Sequence, residues 1–146
     1  MNLRSRVLAY TAMAGLGLLT LAGCSIASKP VEAKYYFSPS TAHNGENVNW
    51  GVKIISSSED LRITSVTNYQ EIISGVGVGE TANNNITTYL TTKNIPANST
   101  QTIIDRNVIV YNPYGVNETI EGNVTVNFDN GTSVTSNRAS LTVLHQ

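Results

Sequence analysis

The chain has 146 residues, with nine Lys and Arg against ten Asp and Glu and a single cysteine. This length fits one domain, which can bury a core without disulfide bonds. One cysteine excludes an intramolecular disulfide, and a net charge of −1 without a basic cluster argues against nucleic acid as a partner. Beyond the first 23 residues the chain is rich in Asn, Thr and Ser, with Val and Ile as its main apolar residues, a composition typical of strands and turns.

The first 24 residues have the parts of an export signal. Arg4 and Arg6 supply a positive start, residues 7–21 form an apolar run, and small residues precede Cys24. The run is shorter than the roughly 20 apolar residues that a membrane span needs. We therefore predict a signal peptide over residues 1–23, whose removal changes the net charge from −1 to −3.

Leu21-Ala22-Gly23-Cys24 resembles the lipobox of prokaryotic lipoproteins, in which an aliphatic residue and two small residues precede an invariant cysteine. The resemblance implies that a diacylglycerol is attached to the Cys24 thiol and that the chain is cleaved between Gly23 and Cys24. Two or three acyl chains hold a protein stably in a membrane, whereas one chain holds it only marginally. The expected location is the cell envelope, lipid-anchored and extracytoplasmic, on the outer membrane or the cell surface according to the type of envelope.

Residues 24–34 are predicted to form the lipidated cysteine and a flexible tether. The segment from Ser25 to Lys34 is short, polar and interrupted by Pro30. About ten residues reach at most roughly 30 Å. The folded domain is then predicted over residues 35–146.

From Tyr35 onward, short runs of alternating apolar and polar residues are separated by turn residues. In the clearest run, Val48, Trp50, Val52 and Ile54 alternate with polar or small residues, which predicts a half-buried strand with Trp50 facing the core. Further strands are predicted near residues 35–37, 61–66, 86–92, 100–111, 120–128 and 134–143. Residues 70–85, which include three glycines alternating with valines, predict a mobile loop or a weak edge hairpin.

About seven short strands without a helical period after Cys24 predict an all-β fold, an antiparallel β-sandwich preceded by a signal-peptide helix. The body resembles the Ig-like domains of prokaryotic surface proteins. The resemblance is carried by the Gly-Glu-Asn-Val-Asn-Trp strand at 45–50, the Ile-Pro-Ala-Asn-Ser-Thr turn at 95–100 and the Asp-Asn-Gly-Thr hairpin at 129–132. It departs from antibody domains in having no cysteine pair, and it implies a fold without fixing a function.

Five aromatic residues are candidates for a partner surface. They either form a patch that stacks on carbohydrate or contacts a protein, or they fill the rim of a small sandwich, and we favour the rim. The five are Tyr35, Tyr36, Phe37, Tyr111 and Tyr114.

Catalytic and metal sites have little support in the sequence. His43 and His145 lie in no recognisable motif, and no serine occupies a Gly-x-Ser-x-Gly elbow. An active site assembled from distant residues would need His43 beside Asp60, Asp105 or Asp129. The pairs Glu59-Asp60 and Asp129-Asn130 are more simply solvated turns than calcium ligands. We predict a protein that is not an enzyme and that holds no metal or cofactor.

The leading hypothesis is a membrane-anchored envelope or cell-surface lipoprotein that presents a non-catalytic Ig-like domain to a protein or a surface polymer. One alternative is a structural subunit of a surface filament or layer, in which residues 25–37 are donated to the sheet edge of a neighbour. A second alternative is an enzyme accessory or a phage-encoded envelope lipoprotein.

Overall fold

Two β-sheets pack face to face in the computed structural model, which describes residues 30–56 and 58–145. The predicted all-β sandwich is confirmed. The predicted signal peptide, with its helix, lies outside the described residues, as do the cleavage site at Gly23 and Cys24 and the first half of the tether.

Ten strands and one short 3₁₀ helix (Thr87–Tyr89) make up the described part of the chain. The strands are β1 (Glu32–Ser38), β2 (Thr41–His43), β3 (Asn47–Ile55), β4 (Leu61–Ser74), β5 (Thr81–Asn85), β6 (Asn94–Ile95), β7 (Thr100–Ile109), β8 (Glu118–Phe128), β9 (Ser133–Thr135) and β10 (Ala139–Leu144).

The strand order is β1-β3-β7 in the first sheet and β2-β10-β8-β4-β5 in the second, with β6 paired to β4 and β9 to β8. In immunoglobulin-type sandwiches, the strands named A, B and E lie in one sheet and those named C, F and G in the other. The positions of β1, β3 and β7 match the first three, and those of β4, β8 and β10 match the second three. The β2–β10 pair is parallel, so the sandwich is mixed rather than wholly antiparallel.

The core lies between the two sheets and consists of side chains that alternate along the strands. The residues that are fully shielded from solvent include Val52 and Ile54 of β3 with Val66, Val124 and Val126 of the second sheet. Trp50 faces inward as predicted, is half-buried, and makes edge-on contacts with the rings of Tyr35 and Tyr89 at 6.3 and 6.1 Å between centroids.

The first strand starts earlier than the sequence predicts. β1 begins at Glu32, and Ala33 is only 7% exposed because it faces the core two residues before Tyr35. Residues 32–34, predicted as the end of the tether, therefore belong to the sheet. Seven residues (25–31) remain between Cys24 and the first strand.

The predicted strand over residues 86–92 is wrong. Ile86 is buried, but the 3₁₀ helix follows it directly. The reason is local, because Asn85 Oδ1 accepts hydrogen bonds from Thr87 N at 3.0 Å and from Thr87 Oγ1 at 2.6 Å. An asparagine that bonds two residues ahead in this way turns the chain out of a strand. Residues 70–85 form an edge hairpin of β4 and β5, the second of the two predicted structures.

Candidate binding surface

The strand directions give the sandwich two distinct ends. β1 starts with Glu32 opposite Ile55 and stops with Ser38 opposite Asn49, so residues 30–31 leave the fold at the end where β3 finishes. We call this the basal end. The opposite, apical end holds the turn after β2, the tip of the β4–β5 hairpin and the loop between β7 and β8, because β4 ends and β8 begins there.

The loop of residues 110–117 at the apical end is held by one buried side chain. Asn112 is 3% exposed, and its Nδ2 donates to Val116 O at 2.9 Å and to Val143 O at 3.2 Å. Its Oδ1 accepts from Tyr114 N at 3.0 Å, and its backbone N donates to Asn44 Oδ1 at 2.8 Å. The side chain thus satisfies backbone groups on both sides of the loop and fixes its shape.

The hairpin tip beside this loop is an ordered turn built on glycines. Gly75, Gly77 and Gly79 have φ values of 105°, 80° and 89°, which residues with a Cβ rarely adopt. Gly79 N donates to Ile72 O at 2.8 Å and closes the turn. A Cβ at Gly75 would come within 3.0 Å of the Asn117 carbonyl oxygen, so the tip packs directly against the neighbouring loop.

The apical end concentrates the exposed apolar side chains of the described residues. Seven of the eight large apolar side chains with high exposure lie there, and contiguous exposed apolar area usually marks an interaction site. Val78 is 63% exposed, Ile109 69% and Tyr111 77%. We call this set the apical surface, and it consists of Ile73, Val76, Val78, Ile109, Tyr111, Tyr114 and Val116.

Charges around the apical surface have one sign. Glu46, Glu80 and Glu118 lie in or next to the loops, and the segments 39–46, 73–80 and 110–117 contain no Lys or Arg. The ion pairs in the described part of the chain are elsewhere, between Arg138 and the carboxylates of Glu71 and Glu121 on the second sheet.

The five aromatic residues that were candidates for a partner surface occupy three different places. Tyr35 is 3% exposed and Phe37 is half-buried, with their ring centroids 5.1 Å apart, so both belong to the interior. Tyr36 lies on the outer face of the first sheet over Gly51, with Lys53 Nζ 5.7 Å from its ring centroid. Tyr111 and Tyr114 belong to the apical surface. The five residues therefore do not form one patch, and Tyr111 and Tyr114 are the two with high exposure.

The apolar residues that complete the apical surface were not predicted from the sequence. Val76 and Val78 stand between glycines, and Val116 follows a Pro-Tyr-Gly turn. The sequence contained one signal for these exposed apolar side chains, which is that the valines occupy turn positions where no strand can bury them. Their placement at the same end of the sandwich depends on the pairing of β4 with β8, which links residues about 50 positions apart.

Burial raises the pKa of Tyr35 above the usual value of 10.0, and hydrogen bonds to Gln70 and Asn68 lower it in part. Burial also raises the pKa of Tyr36, with a further contribution from the negative charge of Asp105. A buried tyrosine resists ionisation because its charged form loses hydration.

The Tyr35 hydroxyl makes stability depend on pH in the alkaline range. The unfolded chain releases this proton near pH 10.0, and the folded chain releases it at a higher pH. The neutral hydroxyl therefore makes its full contribution to the free energy of unfolding below pH 10, and this contribution is lost as the pH rises through the pKa of the folded protein. In Tyr35→Phe the decline of the unfolding free energy above pH 10 becomes shallower than in the wild type. Urea denaturation between pH 8 and pH 11.5 measures this. The control Phe37→Leu removes apolar contacts at a side chain that does not ionise, so it should lower the free energy of unfolding equally at every pH. A Tyr35→Phe profile parallel to that of the wild type would show that Tyr35 is not the source of the pH dependence.

The fold does not bring His43 together with Asp60, Asp105 or Asp129, as an active site assembled from distant residues would require. His43 is at the apical end, where its N donates to Glu46 Oε2 at 2.7 Å, whereas Asp60 is at the basal end and accepts from Ala97 N at 2.7 Å. Asp129 follows β8 at the basal end, and Asp105 lies beside Tyr36 on the outer sheet face.

Residues 30–56 and 58–145 contain no group of three or more His, Cys, Asp and Glu placed to hold a metal ion. In the same residues no helix has the length and apolar character to cross a bilayer.

One residue on the outer edge of β1 is paired by a side chain. Tyr35 N donates to Asn137 Oδ1 and Asn137 Nδ2 donates to Tyr35 O, both at 3.0 Å, so this amide bonds to the strand as a neighbouring peptide would. Beside it an open groove of about 520 Å³ runs along β1 and includes Lys34 and Lys53.

No family model and no curated protein sequence matches the chain. Several solved structures are similar to it, among them the following two. The Pseudomonas fluorescens alkylpurine DNA glycosylase AlkC, bound to DNA containing an abasic site analog, aligns with a TM-score of 0.51 and 16% identity over 78% of this chain and 30% of its own. The sporulation control protein Spo0M from Bacillus subtilis aligns with a TM-score of 0.52 and 10% identity over 80% of this chain and 50% of its own. At such identities the likeness shows the fold alone, and this chain spans half or less of either protein.

Proposed function

We propose that this chain is a lipid-anchored, extracytoplasmic binding module with no catalytic activity of its own. Acyl chains on Cys24 hold it in the membrane of the cell envelope, and the sandwich presents the apical surface to a protein. The observation that carries the proposal is the position of this surface, at the end of the sandwich opposite to residues 30–31. An anchor that precedes residue 30 leaves the apical surface facing away from the bilayer.

The reach of the module follows from its dimensions. Residues 25–31 span at most about 25 Å when extended. The nine residues of β3 add about 30 Å from the basal to the apical end. The apical surface therefore lies up to about 55 Å from the bilayer, far enough to contact a neighbouring envelope protein beyond the lipid head groups.

The alternative of a filament subunit joined by strand exchange receives less support. Residues 32–37 of the segment to be donated pair with β3 of the same chain, and Asn137 occupies the backbone groups of Tyr35 on the outer edge of that strand. Donation to a neighbour would first have to break these bonds and expose Ala33 and Tyr35. Within residues 30–56 and 58–145, no His–Asp cluster supports an enzyme accessory role. A phage-encoded lipoprotein would have the same anchor and surface.

The experiment that tests the anchor compares the wild type, Cys24→Ala and Ser25→Ala after extraction from native membranes in mild detergent. Intact mass should show that the wild-type chain begins at Cys24 and carries acyl chains. Cys24→Ala should lose the acyl mass, because the thiol is the attachment point, while its neighbour Ser25→Ala should keep it. A wild-type chain that is uncleaved and unmodified would refute the anchored module.

A further inference from the structure

The apical surface has a defined chemical character, and from it we infer that the partner is a protein with an apolar contact surface surrounded by basic side chains. This inference rests on the proposed function, since it names the partner of the same module. Its centre is apolar and aromatic, with Val78 and Tyr111 more than half exposed. Tyrosine at the middle of an interface commonly carries much of the binding energy.

The surface is ordered before any partner arrives. Asn112 fixes the loop of residues 110–117 through three side-chain hydrogen bonds, and the hairpin tip packs on Asn117. Because both segments are already held in place, binding does not have to order them, and this raises affinity for a given contact area.

Charge decides among the possible occupants. Glu46 and Glu80 are exposed in the apical turns, Glu118 begins β8 with one carboxylate oxygen buried, and the segments 39–46, 73–80 and 110–117 contain no Lys or Arg. Two copies meeting apex to apex would bring two such sets of carboxylates together, and like charges in contact oppose association. The negative surface of an anionic lipid leaflet would repel the same carboxylates. A basic protein surface, in contrast, pairs with them and is guided toward the apical end.

The test uses photo-crosslinking in native membranes with the full lipidated chain. The probe is p-benzoylphenylalanine placed at Val78 in the apical surface, and at Asn98 in an exposed basal turn as the matched control position. We expect a protein adduct from position 78 and none from position 98. The adduct protein is then purified and titrated with the wild-type chain and its variants at 50, 150 and 500 mM salt.

The expected titration has two signatures. Val78→Ser and Tyr111→Ser should each weaken binding at least tenfold, because they remove apolar contacts. The double variant Glu46→Gln/Glu80→Gln should weaken binding severalfold at 50 mM salt and should flatten the salt dependence, whereas the basal Lys93→Gln should change neither.

Five results would overturn the inference. They are an adduct with a second copy of this chain, an adduct with lipid, binding that is insensitive to salt and to the Glu46→Gln/Glu80→Gln change, equal adducts from positions 78 and 98, and the absence of any adduct. The anchor is judged separately, because acylation of Cys24 is read from the intact mass of the same preparation.

Discussion

Gly122→Ala is expected to lower the free energy of unfolding by about 3 kcal/mol or more, because the added methyl group has no space. Gly122 lies in the middle of β8, opposite Ala139 of β10 on one side and Gln70 of β4 on the other. The carbonyl oxygen of Tyr69 occupies the position of a Cβ. The atoms that the methyl group would meet are backbone atoms of Tyr69 and Gln70 in the paired strand β4, so they cannot move without breaking the ladder of hydrogen bonds.

Gly115→Ala is the matched control for this change. Gly115 lies in the exposed loop between β7 and β8, has no positive φ, and has no atom within 4 Å of its would-be Cβ. Its replacement should alter stability by less than about 0.5 kcal/mol. Urea denaturation followed by circular dichroism measures both variants. A Gly122→Ala protein as stable as Gly115→Ala would show that β8 and β4 do not pair in this register.

Asn112→Ala is expected to cost about 3 kcal/mol and to loosen the apical loop. The change removes three side-chain hydrogen bonds, each worth roughly 1 kcal/mol, and leaves the carbonyl of Val143 without this partner. Denaturation measures the cost. Hydrogen exchange measures the loosening, as faster exchange at Tyr114 N, which loses its acceptor, while amides at the basal end keep their protection.

Asn107→Ala provides the comparison for Asn112→Ala. The Asn107 side chain is exposed and donates to Asn49 Oδ1 on the outer face of the first sheet, so its loss should cost no more than about 0.5 kcal/mol. If both variants lost the same small amount, Asn112 would not be the residue that fixes the loop. Partner binding through Tyr111 should weaken in Asn112→Ala alone.

The central strands were predictable because burial in a sandwich repeats every two residues. Val48, Val52 and Ile54 of β3 alternate with exposed or glycine positions, and the structure buries each of them. β2 was missed since it has three residues, of which only Ala42 is buried. It pairs with β10 about 100 residues later, and no local pattern reports a contact of that separation.

The candidate surface was predicted only in part, for a related reason. The same two-residue period that predicts β1 places Tyr36 on the opposite face from Tyr35 and Phe37, so this trio could have been separated from the sequence alone. The placement of Val78, Tyr111 and Val116 at one end of the sandwich could not, because it requires the pairing of β4 with β8, which sets the hairpin tip against Asn117.

The apical surface also differs in position from the binding loops of antibody variable domains. Those loops connect strands B to C and F to G at one end of the sandwich. Here the corresponding turns, between β3 and β4 and after β8, lie at the basal end with residues 30–31. With an anchor on that side, the loops that serve antibodies would face the membrane.

The pairing of β1 with β3 determines how the domain withstands pulling. If a bound partner moves away from the membrane, tension enters through residue 30 at the basal end and through the apical surface at the other. The force then acts along β1 and across its seven residue pairs with β3. Strand hydrogen bonds lie perpendicular to that direction, so they are loaded together in shear and cannot open one at a time. Rupture must break the whole ladder at once, which suits a protein that links a membrane to a moving neighbour.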